Sequence, residues 1–161
     1  MAQPVESFIR KTGVTAGVFN LVLNPFFTWL SNREMAAVPL AGEATIDTAI
    51  TCFIMSLLVT LFISADTRRA IGAGTLETTV WSPRAGRLLR RLPARPGLLG
   101  LVLGLAAAVV VTPCLAGLFS AFGVTSFSFI AFAALKAVYT PIVAYAVARW
   151  VILRQLAAAA V

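Results

Sequence analysis

Charge is absent from three long intervals of the chain, and these intervals predict its elements. Between Lys11 and Arg33 lie 21 uncharged residues, Thr12 to Asn32. A second run of 18, Thr48 to Ala65, is closed by Asp47 and Asp66, and 40 uncharged residues separate Arg95 from Lys136. A charge at the centre of a bilayer helix costs roughly 2.5–3.5 kcal/mol on insertion scales, and about 20 apolar residues cross the hydrocarbon core. The first two runs therefore predict one transmembrane helix each. The third is too long for one helix, and Gly123-Val124-Thr125-Ser126, flanked by Ser120 and Ser128, is its cluster of turn residues. The expected spans are residues 12–32, 47–65, 98–122 and 127–148, the last closed by Arg149-Trp150, a pair suited to the headgroup level. The first run also exceeds the apolar region of about 7–15 residues in a cleaved signal peptide.

Composition agrees. Of the 161 residues, 60% are hydrophobic and 12% charged, and mean hydropathy is +0.93, whereas soluble domains sit near 45–50% and 25%. A soluble globule and a disordered chain are excluded on these values, and two cysteines furnish neither a disulfide scaffold nor a zinc ribbon. The expected fold is an all-α integral membrane protein, one domain over residues 1–161 with four transmembrane helices in two helical hairpins. The halves share a plan, and Asn24-Pro25 and Thr112-Pro113 occupy similar depths, which hints at a parallel repeat.

Orientation follows from the basic residues. Arg10, Lys11, Arg68, Arg69, Arg84, Arg87, Arg90, Arg91, Arg95, Arg149 and Arg154 fall on one side; Arg33 alone falls on the other, against Glu34, Glu43 and Asp47. The positive-inside rule makes the topology N-in/C-in, with a cytoplasmic basic connection over residues 66–96. The net charge of +7 is thus mostly a topology signal. RAGRLLRRL, Arg84 to Leu92, has no interleaved aromatics and abuts a span, so nucleic acid is not an expected partner. It predicts an amphipathic piece on the inner leaflet, with Arg84, Arg87, Arg90 and Arg91 on anionic lipids and Leu88, Leu89 and Leu92 toward the acyl boundary. The expected location is a bacterial inner membrane, as a multi-pass protein.

Helices in lipid pack through small residues and scattered hydrogen bonds. Each span has such a stripe: Gly13, Gly17, Asn20, Asn24 and Thr28; Thr48, Cys52, Ser56, Thr60 and Ser64; Gly97, Gly100, Gly104 and Ala108; Ala133, Lys136, Thr140 and Ala144. Gly13, Gly17, Gly100 and Gly104 are expected to let backbones approach, and the Gly-rich face of the third span is the candidate contact with a second copy.

Lys136 stands out, roughly 13 Å inside the outer end of its span and beyond the reach of a snorkelling stem. Asn24, Cys52 and Thr112 to Cys114 fall at similar depth, with Asp47 just above. The economical arrangement pairs Lys136 with Asp47 or hydrogen-bonds it to Asn24. Pro113 and Pro141 free the carbonyls of Val109 and Ala137, which would help line a small polar cavity. The candidate substrate-binding residues are Lys136, Asn24, Thr112, Asp47, Asn20 and Tyr139. Cys52 and Cys114 are candidates to meet as a thiol pair, or to serve as small apolar fillers.

The chain has no histidine, which removes imidazole triads and the usual zinc and haem ligands. AIGAGTLE lacks the GK[ST] of a phosphate loop, and no serine has a nucleophile context for a dyad with lysine. No catalytic residue, metal or cofactor is expected. The leading expectation is a small transporter or channel-like protein for an anion or small organic solute, acting as a homo-oligomer. The alternative is a non-catalytic accessory or assembly subunit that binds lipid and the helices of a partner membrane subunit.

Overall fold

The computed structural model describes residues 2–35, 37–77 and 89–159. Four helices dominate: α1 (Val5–Asn32), α2 (Thr45–Gly72), α3 (Pro96–Ala121) and α4 (Phe129–Ala159). All four are long and apolar enough to cross a membrane, where a helix satisfies its backbone polar groups internally. The protein is thus an all-α membrane protein with four spans. Pro96 opens α3 at a position where its missing N–H is no loss. Two glycines stop α2 and α3 alike: Gly74 (φ 65°) and Gly123 (φ 72°) adopt the left-handed conformation. The next amides, Thr75 and Val124, donate back to Ala70 O and Phe119 O, both at 3.0 Å.

Three helices outrun the uncharged intervals. α1 starts at Val5, α2 continues to Gly72, and α4 continues to Ala159, past the expected end at 148. Charge marks where lipid ends, not where helix ends, and α4 has a packing reason to continue. Its residues Val151, Ile152, Leu153, Arg154, Gln155 and Leu156 are all buried. Around them lies the main core, built from Val5 and Ile9 of α1, Val59 and Ile63 of α2, and Leu76, Leu89 and Leu99. Leu89 is thus buried in protein, and Leu92 packs against the same core. Both were expected at the acyl boundary, and this corrects that placement. Arg90 and Arg91 are exposed, while Arg84, Arg87 and Leu88 lie outside the described residues. Arg154 is also inside, its Nε donating to Leu92 O at 2.8 Å.

The helices alternate in direction. In the α1–α2 and α3–α4 connections, β1 (Val38–Pro39) pairs antiparallel with β2 (Ser126–Phe127), Val38 opposite Phe127. A small core of Val38, Leu40, Ala44, Phe127 and Phe132 closes this loop end. At the opposite, basic end, Gln3 bridges to Leu76 and Arg68 reaches Ala94 O and Gln155.

Sequence neighbours are not packing neighbours. α1 packs on α4, α4 on α2 and α2 on α3, whereas α1 with α2 and α3 with α4 scarcely touch. The glycines explain this order. A Cβ on Gly13 would lie 2.6 Å from Tyr145 Cδ2, and Gly17 faces Pro141. A Cβ on Gly100 would lie 2.7 Å from Leu57 Cδ1, and one on Gly104 2.9 Å from Phe53 O. The Gly100 and Gly104 face is therefore spent within the chain on α2, which corrects its expected role as a contact between copies.

These contacts repeat in register. Gly13 and Gly100, like Gly17 and Gly104, are 87 residues apart; their partners Leu57 and Tyr145, like Phe53 and Pro141, are 88 apart, as are Pro25 and Pro113. The hairpins are thus related by an approximate two-fold axis along the helices, passing through the α2–α4 contact and the β1–β2 pair.

Candidate functional site

Near the loop end, α4 presents Lys136, Tyr139 and Thr140, spaced three and four residues apart so that they share a face. Opposite them, the first turns of α2 present Asp47, Thr48 and Cys52. Asp47 sits in the first turn, where exposed amides and the helix dipole favour a carboxylate.

Lys136 Nζ forms an ion pair with Asp47 Oδ2. The partners differ in burial: the lysine side chain is 2% exposed and the carboxylate 29%. The ammonium also lies over the Phe132 ring, 5.3 Å from its centroid, a favourable place for a cation. Cys52 is within electrostatic reach of Lys136, and the Tyr139 hydroxyl approaches Thr48, within electrostatic reach of Cys52 and Asp47. That hydroxyl makes no hydrogen bond of standard geometry, and Thr112 Oγ1 on α3 makes none either. Thr48 is engaged with its own helix, donating to Ala44 O at 2.7 Å.

Asn24 takes another course. Its amide donates to Asn20 O at 3.1 Å and to Asn20 Oδ1 at 3.0 Å, so of the two partners expected for Lys136 the carboxylate is the one engaged. Asn20 Nδ2 donates to Ala16 O at 2.8 Å. The polar stripe of α1 thus spends its donors along its own helix and meets α4 through Thr140. The Thr140 hydroxyl lies 2.7 Å from Lys136 O and 3.4 Å from Asn20 O.

No protein-family model, curated protein or solved structure matches the chain.

The site is read from its own chemistry. Thr112 shares a small pocket with Leu40, Ala44, Thr48, Phe132 and Leu135, with a volume of about 10 Å³, room for a single water. The polar cavity expected from the freed carbonyls is not what occupies this place, and Val109 faces outward on α3. The six candidate residues fall into three groups. Lys136, Asp47 and Tyr139 form the α2–α4 cluster; Asn20 and Asn24 lie on α1; Thr112 lies across the pocket from Thr48 and Phe132. Cys52 is buried and Cys114 exposed, both free thiols, so they do not meet. Among the described residues, no group of three or more His, Cys, Asp or Glu is placed to hold a metal.

A second polar cluster was not anticipated. Gln155 Nε2 donates to Ser64 Oγ at 3.2 Å, while its Oε1 accepts from Arg68 Nε at 3.0 Å. Arg68 also donates to Ala94 O at 2.9 Å. The available signal was an uncharged polar residue at 155 beyond the last span, together with Ser64 closing the α2 stripe.

Proposed function

We propose that this small polytopic membrane protein is a transport protein for small anions, with Lys136 as the cationic contact. The observation that carries this reading is the unequal burial of the Lys136–Asp47 pair. A sealed ammonium is costly without a counter-ion, and Asp47 is a tethered anion on its solvent side. An incoming anion takes the carboxylate's place on Lys136, and Asp47 returns when it leaves. Tyr139 and Thr112 carry hydroxyls with unused hydrogen-bonding capacity within the same region and are the groups to line the opened path. A path beside helices this few is completed by a second copy, as a homo-oligomer. On the positive-inside rule the basic end faces the cytoplasm of a bacterial inner membrane, with Arg90 and Arg91 on anionic headgroups.

The tight packing beside Phe132 favours one competing reading, an accessory subunit in which the ion pair only fixes how α2 meets α4. Flux in liposomes separates the two. Purified protein is reconstituted, and uptake of chloride, nitrate and small carboxylates is followed. Transport requires flux that Lys136→Ala abolishes without changing the protein's elution volume. Flux of none of these anions, or flux indifferent to Lys136→Ala, overturns the proposal.

A further inference from the structure

Because α1 and α2 flank α4 without packing on each other, a groove of about 630 Å³ remains between them, within the range of binding sites for small ligands. Its walls are mostly apolar, including Phe8 and Phe19 from α1 and Val59 and Phe62 from α2. Phe19 and Phe62 are exposed on the outer surface of the helices, so the groove opens toward lipid.

Its length and charge narrow the occupant. Inward from the charged residues Lys11 and Asp66, the lining reaches Leu23 on α1 and Met55 on α2, about 18 Å and 17 Å of helix, while Gln3 and Phe8 line it on the basic side of Lys11. Half of a hydrocarbon core is about 15 Å thick. The groove therefore begins at the basic end and stops near the middle of the membrane. A transmembrane helix from a second copy would need a groove across both leaflets, whereas an acyl chain from one leaflet needs only this depth. At the mouth, Lys11 stands on one wall and Asp66 on the other. Among the described residues Asp66 pairs with Arg69 alone, at a long 3.7 Å and with both side chains largely exposed, which leaves carboxylate surface for another cation. Lys11 and Asp66, the charged residues of the lining itself, suit a phosphate and an amine together, not a purely anionic headgroup.

We infer that the α1–α2 groove holds one acyl chain of a phosphatidylethanolamine from the basic-end leaflet, with its phosphate at Lys11 and its ammonium at Asp66. The test is native mass spectrometry of the full chain released from bilayers of equal parts phosphatidylethanolamine and phosphatidylglycerol with matched acyl chains. The expected spectrum shows one retained phospholipid per chain, several-fold enriched in phosphatidylethanolamine. Lys11→Ser with Asp66→Ser, both at exposed positions, is expected to erase that preference while the chain stays folded. Ala16→Phe, which fills the groove, is expected to reduce retention severalfold. No retained lipid, enrichment in phosphatidylglycerol, or a preference unchanged by the double substitution overturns the inference. So does a dimer that Ala16→Phe disrupts, because the occupant is then a second copy.

Discussion

Lys136 and Asp47 form one ion pair across two environments, the lysine 2% exposed and the carboxylate 29%. Removing either partner leaves the other in a different predicament. That difference makes the pair's energetics testable.

Asp47→Asn strands a buried ammonium and is expected to destabilise the protein by about 3–5 kcal/mol, the range for breaking a buried pair. Lys136→Met leaves a carboxylate that reaches solvent and sits at a helix N-terminus, so its effect is expected to be clearly smaller. The double variant is expected to recover most of the loss from Asp47→Asn, since no charge is left without a partner. Thermal unfolding in detergent, followed by tryptophan fluorescence, ranks the three. A larger loss for Lys136→Met than for Asp47→Asn would refute the proposed asymmetry.

Two glycines that look alike in sequence are expected to respond differently to alanine. A Cβ on Gly104 would meet the backbone oxygen of Phe53 at 2.9 Å, which has no freedom to give way. Gly104→Ala is expected to destabilise by about 1–3 kcal/mol, as overpacking does. At Gly17 the nearest contact is 3.5 Å, to Pro141, and alanine is the better helix former. Gly17→Ala is expected to be neutral or slightly stabilising in the same unfolding assay.

Gln155 ties α4 to α2 at the basic end through Ser64 and Arg68. Gln155→Leu is expected to cost about 1–3 kcal/mol, because it leaves the buried Ser64 hydroxyl without its partner and removes one bond from Arg68. Hydrogen exchange should locate the damage. Amides near the basic ends of α2 and α4 are expected to lose protection, while those near Val38 and Phe127 keep theirs. Uniform loss along both helices would contradict a local tie.

Cys52 is packed between helices and Cys114 is exposed on α3. An oxidant is expected to leave both thiols unjoined, and a lipid-soluble thiol reagent to modify Cys114 well before Cys52. Peptide mapping after labelling reads both outcomes. An internal Cys52–Cys114 disulfide in folded protein would disprove the outward placement of Cys114 on α3.

Part of the site was legible in the sequence. A lysine amid uncharged residues is conspicuous in hydrocarbon, and its depth relative to Asp47 follows from counting helical rise. Its choice between Asp47 and Asn24 was not legible, because both lie at reachable depth. Asn24 is withdrawn from that contest by a side-chain bond to Asn20 four residues earlier. Gln155 was overlooked because it follows Arg149 and Arg154, where charge implied solvent, although the helix there is enclosed by α1, α2 and Leu89.

The sequence by itself determined the number of spans, their approximate limits, and the gathering of basic residues at one end. These follow from the cost of placing charge in hydrocarbon, a constraint that acts on each segment separately. Only the tertiary structure decided that α4 stands between α1 and α2, that Gly100 and Gly104 face α2, and that the α4 extension forms the heart of the core. Those outcomes depend on which surfaces fit at van der Waals distance. Each stripe of small residues is compatible with several partners until the Cβ-free positions meet Tyr145, Pro141, Leu57 and Phe53. The two-fold relation between the hairpins emerged in the same way, since the shared Pro25 and Pro113 acquire meaning only when the helix contacts repeat at the same spacing.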